Sequence, residues 1–351
     1  DVLNIRPLKD IPEKALGYPV PFLSKWLEDS DYNEFWRQSN WQERSKKAQI
    51  PALIQSGWFD DNGMGTTEAL EIVHDFPEGM RKVILGPWQH SGNSRYDMHG
   101  VSFGSQALRF DLDYLYFQWF EHYLKGVENG IDKSAPVEYY TVGQNTWKTA
   151  SNWPVPETVE TDIFLDSKGN ANTSLGDGTL SFHLPEKEGI DSYDYDPQNP
   201  STHIIDMSEN EIEVPEDYAA EELRDLTASL FISSDAPDTD FMVRLTDVDE
   251  NGRSIKLADG ILSARYRNGF DHAEFLTPGE VVNLKIRTTK ISNCFKKGHK
   301  IRITITSSAK NFVFPNSNTK GGYNSPDTAV ARNTIHHGGN YPSKVTVRLE
   351  K

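Results

Sequence analysis

The sequence predicts an α/β layer followed by an all-β sandwich. Three observations predict it. Between residues 50 and 124, compact apolar runs alternate with stretches of helical spacing, the order of a parallel sheet covered by helices. From about residue 135, short runs rich in Val, Ile, Tyr, Phe and Thr recur between Gly, Pro, Asn and Asp. No long amphipathic stretch interrupts them, which is the pattern of a β-sandwich or jelly roll.

The elements follow in order. Residues 1–48 are rich in Trp, Pro and charge, and the large apolar residues of 22–27 and 33–39 have helical spacing. They predict short helices of a larger helical layer that starts before residue 1. Residues 50–57 form a compact apolar run ending in Gly57, which predicts a buried strand. Residues 66–76 carry apolar side chains at 69, 70, 72, 73 and 76, the spacing of an amphipathic helix. Residues 82–87 predict the next strand, stopped by Gly86-Pro87. Residues 106–124 predict the clearest helix, with Leu108, Leu112, Leu115, Trp119 and Tyr123 on one stripe and Gly126 as its stop.

A polar turn at 129–132 then sets a boundary, giving regions 1–48, 49–130 and 131–351. Strands are expected within the last region at 136–142, 161–165, 229–233, 240–246, 281–286, 300–306 and 344–349. Residues of about 185–222, acidic and Pro-containing, read as a long surface excursion.

A formal net charge of −16 argues against nucleic acid as a partner and for a self-repelling, soluble surface. The single cysteine, Cys294, excludes an internal disulfide and has no ligand spacing around it, so it reads as a structural thiol. That fits a reducing, cytoplasmic compartment, and a secreted bacterial protein without disulfides has the same composition. No apolar run is long enough to span a membrane and no signal peptide is evident, so no membrane partner is expected. The chain starts at Asp1 rather than Met, which suggests a truncated or processed product.

Two runs carry the chemistry: Gly57-Trp58-Phe59-Asp60-Asp61 and Gly86-Pro87-Trp88-Gln89-His90. Each follows a predicted strand and places a titratable residue just past its C-terminal end. Loops at those ends of a parallel sheet face a common crevice. An acid and then a histidine, in that order, are the last two members of an α/β-hydrolase triad. The acid orients the base and stabilises its charged form. Position alone leaves a second explanation open, a surface aspartate and a satisfied loop histidine.

The stretch from Pro51 to Trp147 resembles the CocE/NonD hydrolase family, which includes cocaine esterases, α-amino-acid ester hydrolases and, more distantly, X-prolyl dipeptidyl peptidases. The matching pieces are Gly57-Trp58-Phe59-Asp60, Gly86-Pro87-Trp88-Gln89-His90, Phe103-Gly104 with Ala107, and Trp119-Phe120-Glu121-His122-Tyr123-Leu124-Lys125-Gly126. Val142-Gly143-Gln144-Asn145-Thr146-Trp147, Gly298-His299-Lys300-Ile301-Arg302-Ile303 and Phe314-Pro315-Asn316-Ser317-Asn318-Thr319 resemble later signatures. The resemblance covers roughly residue 20 to the end.

It implies the C-terminal portion of an α/β-hydrolase domain (49–130), with part of a helical cap before it (1–48) and a galactose-binding-like jelly roll after it (131–351). It implies a serine hydrolase with Asp60 as acid and His90 as base, Asp61 being the adjacent alternative acid. Trp58, Phe59 and Trp88 are expected to pack the loops. It implies no cofactor, and an ester, amide or short peptide as substrate.

The nucleophile is the departure. Residues 1–49 hold nothing like a serine elbow. Gly100-Val101-Ser102-Phe103-Gly104 fits the Gly-x-Ser-x-Gly pattern but follows the histidine, lacks a buried strand before it, and matches a family feature for another reason. The serine is therefore expected on a missing N-terminal segment, and this chain alone is expected to be inactive. The bare sheet face then predicts either that segment as partner or self-association into an oligomer.

The remaining histidines are read as structural. His336 and His337 are adjacent on a strand and point to opposite faces, so no metal site is expected. His122 lies on the long helix, and His99 is the other histidine to test as a base. The competing class of function is a non-catalytic jelly roll that binds carbohydrate or protein. An intact Asp60–His90 pair discriminates against it.

Overall fold

Short helices lead the chain: α1 (Ile11–Leu16), α2 (Pro21–Glu28), α3 (Glu34–Arg37) and α4 (Trp41–Ser45). The computed structural model describes residues 2, 5–45, 50–60, 62–90, 92–98, 101–173, 176–201, 224–310 and 312–350. Pro12 and Pro21 occupy first-turn positions, where the missing N–H costs nothing. The Asn33 side chain caps α3 by accepting from the Phe35 N–H at 2.9 Å. This segment rests on the loops of the β region. The Lys9 N–H donates to Asn324 Oδ1 at 3.2 Å, the Tyr266 hydroxyl donates to Asp31 at 2.7 Å, and Arg37 pairs with Asp271 at 3.0 Å.

The first sheet contains β1 (Ala52–Gly57), with α5 (Gly63–Val73) leading to β2 (Arg81–Gly86). A small ribbon of β3 (Asp97–Met98) and β4 (Val101–Ser102) precedes α6 (Leu112–Lys125), and then come β5 (Val137–Thr141) and β6 (Thr146–Ala150). The sheet order is β1-β2-β5-β6, parallel except for β6. β2 is covered on both faces, which explains its unbroken apolar sequence. Ile84 packs against Leu112, Leu115 and Trp119 of α6, while Val83 and Leu85 join the main core with Leu70 and Val73 of α5.

Two expectations need correcting here. The strand expected at 136–142 belongs to this sheet, not to the sandwich, and the first sheet runs past the 130/131 boundary to Ala150. The Val83 N–H donates to the Pro136 carbonyl at 2.8 Å, and Val137, Tyr139 and Tyr140 are buried. β-rich composition specifies a strand but not its partner. The helix expected from Gln106 begins at Leu112. The Arg109 N–H is drawn to Asn93 Oδ1 at 2.7 Å, and its guanidinium forks onto Asp111 at the helix entrance.

The sandwich follows. Its strands are β7 (Thr158–Asp166), β8 (Thr179–Ser181), β9 (Gly189–Tyr195), β10 (Arg224–Ser234), β11 (Asp240–Val248), β12 (Ser254–Ser263), β13 (Val282–Arg287), β14 (Lys300–Thr306), β15 (Ala331–His337) and β16 (Lys344–Glu350). One sheet is ordered β8-β7-β16-β10-β15-β9 with β13 also on β10, and the other is β12-β11-β14. Alternate residues of β10, Leu226, Ala228, Leu230 and Ile232, are buried against Phe241, Val243 and Leu245 of β11. One contiguous core joins these residues to Leu85 of the first sheet, to Trp58 just after β1 and to Phe103 just after β4.

β9 lies inside the stretch read as a surface excursion. It pairs with β15 along its whole length and buries Tyr195, while 202–223 lie outside the described residues.

Two carboxylates are buried where the N-terminal segment meets the sandwich. The Asn316 amide donates to Asp238 Oδ2 and to Asp240 Oδ1, each at 2.7 Å. Arg265 Nε donates to Asp238 at 2.8 Å and the Tyr323 hydroxyl donates to Asp240 at 2.6 Å. Burial, and then the neighbouring Asp238, push the Asp240 carboxyl up to about 6. No helix among the described residues is long and apolar enough to cross a membrane.

Candidate active site

β1 and β2 end in register, Gly57 opposite Gly86. A side chain on Gly57 would place its Cβ 1.8 Å from the Trp88 carbonyl oxygen, and one on Gly86 would meet the Trp88 indole at 2.3 Å. The paired glycines let the chain after β2 turn back across the end of β1. The Phe59 N–H then donates to the Trp88 carbonyl at 3.0 Å, and the Trp58 N–H to the Gly86 carbonyl at 2.9 Å. The two loops are stitched together and their next residues meet.

Those residues are Asp60 and His90. His90 Nδ1 lies 3.1 Å from Asp60 Oδ1. The Asp60 side chain is 15 % exposed and the His90 side chain 45 % exposed, so the acid sits behind the base. Asn62 completes the group. Its N–H donates to Asp60 Oδ1 at 2.8 Å and its carboxamide nitrogen lies 3.1 Å from His90 Nδ1. Asn62 was not foreseen, because its contacts depend on the tight turn after Asp60.

The aromatic residues pack the loops. Trp58 is buried and donates its indole N–H to the Tyr140 carbonyl at 2.7 Å. Trp88 is buried and donates to the Ala107 carbonyl at 2.9 Å, and Phe59 stacks on Phe103 with centroids 5.4 Å apart. The sandwich holds the helix that follows the acid loop. Arg287 at the end of β13 pairs with Glu68 at 3.2 Å and with Glu71, both on α5.

The other candidates fall elsewhere. Asp61 and His99 lie outside the described residues. Ser102 is on the ribbon, and its Oγ accepts from the Gly104 N–H at 3.2 Å, a local turn bond. His122 Nδ1 lies 2.9 Å from the Val127 carbonyl at the end of α6. The Cys294 N–H donates to the Val142 carbonyl at 3.2 Å, joining the two sheets' loops.

His336 and His337 do face different neighbours. His336 Nε2 meets Ser233 Oγ at 2.8 Å, and burial lowers its pKa. His337, 2 % exposed, brings Nε2 to 3.0 Å from Ser167 Oγ and 3.2 Å from Asp191 Oδ2. This Ser–His–Asp trio has the wrong geometry for a nucleophile. The Ser167 hydroxyl donates to Asp191 at 2.6 Å, and acid and serine contact the same ring nitrogen. No group of three or more metal-ligating side chains occurs among the described residues.

Comparison with known proteins adds the following. The profile of the X-Pro dipeptidyl-peptidase C-terminal non-catalytic domain matches residues 129–346, and that of the X-Pro dipeptidyl-peptidase (S15 family) matches residues 5–92. A cocaine esterase from Rhodococcus sp. (strain MB1 Bresler) is 30% identical over 376 residues, covering 99% of this chain and 64% of the relative. The structure of an α-amino acid ester hydrolase superposes with a TM-score of 0.83 at 18% identity, covering 99% of this chain and 63% of the other. A CocE/NonD family hydrolase from Staphylococcus aureus superposes with a TM-score of 0.66 at 16% identity, covering 98% and 62%. The chain spans less than two thirds of the length of each of these relatives.

Proposed function

This chain belongs to the X-Pro dipeptidyl-peptidase family, and from that premise we propose that it supplies the acid and base of a Ser-His-Asp triad. The observation that carries the proposal is the 3.1 Å contact of His90 Nδ1 with Asp60 Oδ1 at the ends of adjacent parallel strands.

Asp60 accepts the Nδ1–H and leaves the lone pair of Nε2 available. Nε2 takes the proton of a serine hydroxyl as its oxygen attacks the carbonyl of an ester, amide or peptide. The imidazolium returns that proton to the leaving alkoxide or amine. Water, activated by the same nitrogen, then hydrolyses the acyl-serine. The contact of His90 Nδ1 with Asp60 is the one that persists through the cycle, while Nε2 exchanges serine, leaving group and water.

The serine comes from a further polypeptide segment that completes the sheet. Among the described residues, β1 pairs on one side only. α6 presents a second apolar stripe to solvent, Tyr114, Phe117, Phe120 and Leu124, and Phe110 just before the helix is 92 % exposed. A stripe of that kind on a helix whose other face is already buried calls for a cover. The greater length of the relatives supports this reading.

A fluorophosphonate probe tests this reading. The protein carrying the additional segment should be labelled at one serine, and His90→Ala should abolish labelling. Residues 1–351 alone should not react. Labelling of this chain alone that is lost on Ser102→Ala would overturn the assignment.

A further inference from the structure

Asp60 and Asn62 compete for one atom. Asp60 Oδ1 and the Asn62 carboxamide nitrogen both lie 3.1 Å from His90 Nδ1. In a neutral imidazole that nitrogen carries either a proton or a lone pair. With a proton it donates to Asp60 and confronts the N–H of Asn62. With a lone pair it accepts from Asn62 and confronts the carboxylate. A hydrogen bond to a charged group is about twice as strong as a neutral one, so the proton and the carboxylate win. A half-turn of the Asn62 carboxamide then removes the conflict by exchanging its nitrogen for its oxygen at the same position.

We propose that Asn62 is a positioning residue for His90: its carboxamide oxygen shares the Nδ1–H with Asp60 and holds the imidazole in the tautomer whose Nε2 can act as a base. This deepens the triad reading and rests on it for its catalytic meaning. The local geometry gives the reason for a second acceptor. The His90 side chain is nearly half exposed, so burial alone does not fix the orientation of the ring. Asn62 also fixes the carboxylate itself, through its N–H to Asp60 Oδ1 at 2.8 Å. One residue thus braces both members of the pair. Its side chain makes no capping bond to α5, which it precedes, so this role is separable from holding the helix.

The test reads the tautomer directly and needs no catalysis. Long-range proton–nitrogen correlation on the nitrogen-15-labelled chain, at a pH where His90 is neutral, distinguishes Nδ1–H from Nε2–H. The wild type should show Nδ1–H. Asn62→Ala should shift the ratio toward Nε2–H by about 3- to 10-fold, the equivalent of one neutral hydrogen bond. Asn62→Asp, which keeps an acceptor, should retain Nδ1–H. A wild-type His90 in the Nε2–H form would overturn the proposal without any variant. So would an unchanged ratio in Asn62→Ala. The hydrolase reading fails separately, if the longer protein is not labelled by fluorophosphonate.

Discussion

Gly57 and Gly86 face each other across β1 and β2, and the Trp88 backbone and indole occupy the space their absent side chains leave. Asp60 and His90 meet because of that vacancy. Gly57→Ala would drive a methyl group into a backbone carbonyl, which cannot swing aside as a side-chain tip can. We expect a loss of about 2–3 kcal/mol by chemical denaturation, in the range of overpacking, together with loss of the Asp60–His90 contact. A variant within about 0.5 kcal/mol of wild type would show that the crossing is not fixed by the glycine.

The acid and base should behave as one unit in the longer protein. Asp60→Asn should lower kcat toward an ester by about 10⁴-fold, with KM little changed, because it fixes the wrong tautomer. His90→Ala should cost at least as much. The double variant should be no worse than His90→Ala alone, since a broken relay cannot be broken twice. Multiplicative losses would separate the two residues and count against the pairing.

Asp240 gives a pH signature in stability. Its folded pKa of about 6 lies above that of an unfolded aspartate, about 4. The folded state therefore holds a proton that the unfolded chain has released. Its stabilising contribution is complete below pH about 4 and is lost as pH rises through about 6. Denaturation midpoints of wild type and Asp240→Asn, measured across that window, should diverge in favour of the variant as pH rises. Parallel curves would mean that Asp240 does not titrate there.

The second apolar stripe on α6 predicts association of the isolated chain. Sedimentation of residues 1–351 should give a species larger than a monomer. Phe117→Ser with Leu124→Ser should return it toward the monomer with little change in thermal midpoint, because both side chains are exposed. A wild-type chain that stays monomeric at high concentration would contradict this.

The parts legible in the sequence were those that local pattern determines. Apolar runs closed by Gly57 and Gly86 marked the strands, and the order of acid and histidine marked Asp60 and His90 as a pair. Sheet membership was not legible for 137–150, because Val137, Tyr139 and Tyr140 are as suited to a sandwich as to a parallel sheet. β9 was hidden by its composition. Alternate polar residues in 189–195 look like a solvated loop until β15 supplies their hydrogen-bond partners. Asn62 carried no signal, since its role comes from a turn that returns its side chain to His90. The Ser167–His337 contact joins distant strands and is invisible to any local reading.

The ion pairs from Arg287 to Glu68 and Glu71 have an evolutionary consequence. The region that matches a non-catalytic domain grips the helix whose N-terminus carries the acid loop. A chimera that grafts this sandwich onto another relative's hydrolase half must inherit the complementary carboxylates as well. Without them it would acquire a foreign bearing beneath the acid loop. On the triad reading, the β-sandwich would bear on turnover through its hold on the helix after the acid loop, although it contributes no reacting atom.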